Sequence, residues 1–424
     1  MELLKNQTVR WAIIISLAGL GGIAWLAEEA GADNSAIPSF QLDTVIKLAL
    51  DRNPLIAKAE GTIDQALGGE ITAGAYPNPT IMGGTARGAL RDPSSDTART
   101  EYAVTMQQPV EWYAKRRARK EAAQAAVAGA LMGRDEAMLL VKTQSKVAFY
   151  DLLLAQQSAE IALQNVETVQ ALAKAVKVRV ESGEGAQFEA VKADVEVLKA
   201  EQEVTKAKSI IQVERAHLNA LTNGALSPVF GIQGKFRSPL RGLGIQELTS
   251  QVHQSHPTIL RLHRQIERAS SDVTKERASR VPDLTFYGGY AREIGREAVI
   301  GGVYIPTPIW YQQQGQIATA LGTERFYEAE LQRAQNELTR AVEQYLQEAE
   351  TAAERIEVFE KGLLNQAEEA LRIARLSFRV GAASLLEVLD AQRVARQIRL
   401  EYAQARHDLS VVLSKLEGAA GEDL

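Results

Sequence analysis

Between residues 387 and 416, apolar side chains return in alternating steps of three and four: Val388, Ala391, Ala395, Ile398, Tyr402, Ala405, Leu409, Val412 and Leu416. An unbroken heptad seam marks a long helix lying against another long helix. Several of its knobs are alanine, which lets the partner backbone approach closely. The same pattern stands earlier in the chain, at Ala190, Ala193, Val197, Ala200, Val204, Ala207 and Ile211. Each copy follows a glycine turn, Gly183-Glu184-Gly185 in one case and Gly381 in the other. Each also carries an acidic residue near its start, Glu189 and Glu387. The chain therefore holds one long helical hairpin twice.

Read in order, the pattern predicts short helices over 40–50 and 55–75, closed by Asn53-Pro54 and by Pro77-Asn78-Pro79, because proline cannot continue a helix. Alternation then replaces the helical period over 80–90 and 101–110, with Tyr102, Val104 and Met106 on one face and a polar loop at 91–99. This predicts a hairpin of strands. No proline occurs from 112 to 182, and the helical seam resumes through Ala148, Leu152, Ala155, Ala159, Ala162 and onward to Val180. A helix of about seventy residues would be roughly 105 Å long. The turn at Gly183 and Gly185 sends the chain back over 187–221. A linker with Pro228 and Pro239 occupies 226–244, and the programme restarts with a brief helix over 245–254. His256-Pro257 and Val281-Pro282 answer Asn53-Pro54 and Asn78-Pro79 at one common interval. Strands are expected over 283–292 and 300–310, with Arg292 to Arg296 in the loop between them. A second long helix over 313–380 turns at Gly381. The expected organisation is a tandem repeat, 40–225 and 245–418, with long helical hairpins at 113–221 and 313–416.

Strands of about ten residues match membrane-spanning β-strands, and Tyr102, Tyr287, Tyr290, Tyr304 and Trp310 read as an interfacial belt. Four strands close no barrel, and an open edge in lipid leaves backbone groups unpaired, so several chains must share one barrel. The long helices exceed a hydrocarbon core of about 30 Å and are charged along one face, so they project into water. The expected fold class is mainly α, with duplicated helical hairpins and a small β part that joins a shared barrel.

Composition narrows the function. The net charge of −5 is spread over both signs, with no basic face for nucleic acid. The absence of cysteine excludes disulfides, thiolate metal sites and a lipidated N-terminal cysteine. Lys5 and Arg10 precede an apolar run over 11–26, and Ala30-Gly31-Ala32 offers a small-residue cleavage site. Residues 1–32 are read as a secretory signal peptide. The competing reading, a membrane anchor, needs about 20 apolar residues, and the run is shorter. No nucleophile–base pair, metal-ligand spacing or nucleotide motif is present, so neither catalysis nor a cofactor is expected. His253, His256 and His263 are read as a surface cluster that Pro257 interrupts.

The duplicated plan, the Asn-Pro after the first short helix, and the run VGAASLLEVLDAQ at 380–392 resemble the TolC family of outer-membrane efflux channels over about 40–420. Two further runs, QPVEWYAKRR at 108–117 and IPTPIWYQQQG at 305–315, are similar to the outer-membrane subunits of cobalt–zinc–cadmium resistance-nodulation-division (RND) pumps. The resemblance implies a homotrimer with one twelve-stranded barrel in outer-membrane lipid, continued by an α-helical barrel across the periplasm. It implies a periplasmic entrance at the hairpin tips, opened by a periplasmic adaptor and an inner-membrane RND pump. It places acidic entrance residues at Glu387, Asp390 and Glu189. A tyrosine and an arginine of the family's latch fall on Phe378 and Ala383 here, with Arg379 a nearby substitute. The residues also permit a plainer reading in which Ser384 and Glu387 form a capping box. Other functions left open are the exit duct of a drug or type I secretion system, and a soluble periplasmic coiled-coil scaffold.

Overall fold

The computed structural model describes residues 38–88, 98–240, 242 and 244–424. The expected signal peptide at 1–32, positions 91–97 of the loop expected at 91–99, and positions 241 and 243 of the linker lie outside the described residues.

The first half runs β1 (Ser39–Phe40), α1 (Leu42–Arg52), α2 (Pro54–Gly74), β2 (Thr80–Gly88), β3 (Arg99–Val110), α3 (Tyr113–Glu181) and α4 (Gln187–Leu221). The second runs β4 (Gly231–Ile232), α5 (Ile245–Ser255), α6 (Pro257–Ala278), β5 (Leu284–Glu293), β6 (Arg296–Tyr304), α7 (Gln314–Val358), α8 (Leu364–Arg379) and α9 (Leu385–Ala420). With no proline inside it, α3 continues for 69 residues, about 100 Å at 1.5 Å per residue. It packs on α4 through small seam residues, among them Ala159, Ala162, Val204 and Ala207.

The single helix expected over 313–380 is instead broken by a π turn at Phe359–Leu363, with Gly362 outside helical angles. Glycine is the weakest helix former here apart from proline. The break carries Phe359 into the core, 5.8 Å from the ring of Tyr402 on α9.

Asn53-Pro54 and His256-Pro257 prove to be equivalent caps. The Asn53 side chain accepts the Leu55 N–H at 2.9 Å, and His256 Nδ1 accepts the Thr258 N–H at 3.2 Å. Proline at the first helical position has no N–H to satisfy, so the cap serves the next residue. His256 is 4% exposed and its Nε2 lies 3.3 Å from the Gly418 carbonyl. Its place in a surface cluster with His253 and His263 is thereby corrected. Burial pushes the His256 imidazole below its ordinary pKa.

The segment following α4 forms a belt over the helices. Leu226, Phe230, Ile232 and Phe236 are buried with Phe149, Leu152, Leu218 and Val411, and β4 pairs in parallel with β1. Arg237 extends the anchor through Glu417 at 2.7 Å and the Leu424 carbonyl at 3.0 Å.

The remaining four strands form one antiparallel sheet in the order β2-β3-β5-β6. The last strand departs from its expected span of 300–310. It starts at Arg296 because the turn from β5 is tight, so most of the loop expected at 292–296 lies in strands. It stops at Tyr304 because Pro306 and Pro308 can donate no ladder bonds.

Candidate conduit: the open sheet and the helical tips

Residues directly opposite in an antiparallel register share a face. One face of the sheet carries Ile81, Val104, Met106, Phe286, Val299 and Val303, with Tyr102 and Tyr290 towards the β5–β6 turn. The other carries mostly small and polar residues, Thr80, Ala103, Thr105, Gln107, Thr285, Gly289 and Ala291, together with Met82 and Ile300. Tyr287, lying across Gly302, and Tyr304, opposite Thr285, fall on this second face and so leave the expected aromatic belt. Large apolar side chains on the first face stay exposed, Val299 at 88%. So do Trp112, Ile309 and Trp310, the last at 85%, where strands give way to helices. An apolar face rimmed by exposed tryptophan and tyrosine is the pattern of a sheet that faces lipid. No helix among the described residues is long and apolar enough to cross a membrane. Among the described residues, β2 and β6 are each paired on one side only.

At the far end of the long helices, each hairpin turns through a glycine in the left-handed region, Gly183 at φ +82° and Gly381 at φ +76°. The two tips share one core of Ala173, Val176, Ala190, Ala193, Phe378, Leu385 and Val388. Phe378 is 3% exposed, and the Arg179 guanidinium lies 4.9 Å from its ring centre. It therefore joins the two hairpins. Nearer the middle, buried Gln392 donates to Asn165 at 3.0 Å and accepts from Arg375 at 2.6 Å, tying α9 to α3 and α8. Arg396 of α9 pairs with Glu203 of α4.

The expected entrance carboxylates have local partners. Ser384 N–H donates to the Glu387 carboxylate at 2.7 Å, and Glu387 N–H donates to the Ser384 hydroxyl at 3.3 Å, which completes the capping box. Asp390 pairs with Arg393 one turn on. Both carboxylates remain exposed, as does Arg379, whereas Glu189 is half-buried beside Gly185.

The model of the outer membrane efflux protein family matches residues 45–224 and 248–422. The chain belongs to that family. The efflux protein is 28% identical over 370 residues, 85% of each chain, to the cobalt-zinc-cadmium resistance protein CzcC of Cupriavidus metallidurans. Its fold is similar to that of the outer membrane protein VceC of Vibrio cholerae, with a TM-score of 0.74 at 19% identity over 90% of this chain and 96% of that one. It is similar as well to the open-state MtrE outer membrane channel of Neisseria gonorrhoeae, with a TM-score of 0.74 at 18% identity over 90% and 89%. The efflux protein is a channel and not an enzyme: the family provides passage.

The turns and the cap of this efflux protein are legible in the sequence because each is local. Arg179, Gln392 and Asn165, whose contacts join separate hairpins, and Arg375, which reaches Gln392 across its own hairpin, are not. The available signal was a polar residue standing beside an otherwise apolar seam, as Gln392 stands beside Ala391.

Proposed function

We propose that three copies of this chain close one twelve-stranded barrel in the outer membrane and form the exit duct of a tripartite RND-type efflux system whose cargo is heavy-metal cations. The observation that carries the reading is the open sheet with one lipid-compatible face, joined to helices that no bilayer accommodates. Its unpaired edges require further strands, since a sheet in lipid must close on itself. The long helices, of which α3 alone is about 100 Å, then extend into the periplasm towards a periplasmic adaptor and an inner-membrane RND pump. Glu387, Asp390 and Glu189, repeated around a threefold axis, concentrate negative charge at the entrance, an arrangement that favours cations. The resemblance to a cobalt-zinc-cadmium resistance protein supports the choice of cargo. A deletion strain grown on graded cobalt, zinc and cadmium, and on a drug panel, tests this. Sensitivity to at least one metal, restored by the intact gene, is expected. Unchanged metal tolerance with new drug sensitivity would overturn the cargo.

A further inference from the structure

The helix layer carries a cluster of metal-ligating side chains that the conduit does not use. Asp151 on α3 and Glu214 and His217 on α4 bring their ligand atoms within 4.8 Å of one another. Glu214 and His217 stand three residues apart, so both point from one face of the helix, the Glu-x-x-His spacing by which helical bundles present two ligands inward. Nδ1 of His217 is already 3.8 Å from the Glu214 carboxylate. Around a tetrahedral ion with bonds of about 2.1 Å, ligand atoms stand roughly 3.4 Å apart, a contraction that rotation of exposed His217 and half-buried Glu214 can supply. The third ligand is held in place from a different helix. Nε2 of His407, on α9, lies 2.7 Å from Asp151 Oδ1, a bond that orients the carboxylate.

We propose that Asp151, Glu214 and His217 bind a divalent transition-metal ion of the zinc or cobalt type. The Glu214 carboxylate offsets part of the ion's charge, and Asp151 offsets less because it also holds His407. The imidazole nitrogen favours these borderline ions over magnesium and calcium, which take oxygen alone. With three protein ligands and one of them exposed, the fourth position stays open to water, and the ion can exchange. The site is separate from the tip carboxylates and goes beyond the sequence reading, which assigns no metal ligand.

Cobalt(II) titrated into the purified full-length protein in detergent, followed by its visible absorption, tests the site. One ion per chain is expected, with affinity reduced at least about tenfold in His217→Ala and Glu214→Gln, and unchanged in the control His263→Ala. His217 is exposed, so its variant keeps the fold, and circular dichroism checks that it does. Absence of binding in the unaltered protein, or binding that survives both substitutions, would overturn the site. Titration and cellular metal tolerance are separate readouts: a failed titration removes this site and leaves the export reading to be judged on growth.

Discussion

At the scale of single residues, His256 shows how a local contact sets a pH response. Its neutral ring accepts the Thr258 N–H through Nδ1 and can donate to Gly418 through Nε2. Protonation would remove the acceptor, and burial already lowers the pKa. A depressed histidine stabilises the fold fully above its unfolded value of about 6.5, and that contribution declines as the pH falls towards the folded value. Melting curves between pH 8 and 5 should show His256→Asn losing less stability on acidification than the unaltered protein, because asparagine caps without titrating. Equal losses would remove His256 as the cause. The tip gives a second case. Ser384→Ala should destabilise the α9 terminus by about 0.5–2 kcal/mol in hydrogen exchange and leave ion selectivity alone. Glu387→Ala with Asp390→Ala should weaken cation preference and divalent block in bilayer conductance. Unchanged selectivity in the double variant would reduce both carboxylates to caps. The capping box was legible because its partners are three residues apart. The bond between Gln392 and Asn165 was not, because 227 residues separate them.

Among elements, the long helices were readable from heptad spacing, and α4 occupies the span 187–221 that the pattern marks. The π turn within the second long helix was not, since the seam continues through it and only the packing of Phe359 reveals the break. The sheet showed its period in the sequence, but the faces of its strands depend on register. That is why Tyr287 and Tyr304 were grouped with the belt although they sit opposite Gly302 and Thr285 on the other face. If the apolar face meets lipid, Val104→Lys at the middle of β3 should cost about 2–4 kcal/mol, read as reduced assembly into the outer membrane. Gln107→Lys, on the opposite face of the same strand, should assemble normally and alter conductance. Equal tolerance of both substitutions would show that neither face contacts hydrocarbon.

On the scale of the whole molecule, assembly is legible only through what one chain leaves incomplete among its described residues: a sheet of four strands, two unpaired edges and an exposed apolar face. A single copy would leave those edges in lipid without partners, and two copies give eight strands where three give twelve. Family resemblance selects the threefold arrangement, and the central claim is that these copies share one barrel. The most direct test is native mass spectrometry of the protein extracted from outer membranes in mild detergent. Three chains per particle, with strand content retained by circular dichroism, is the expected result. A monomer or dimer of the same strand content would contradict the shared barrel.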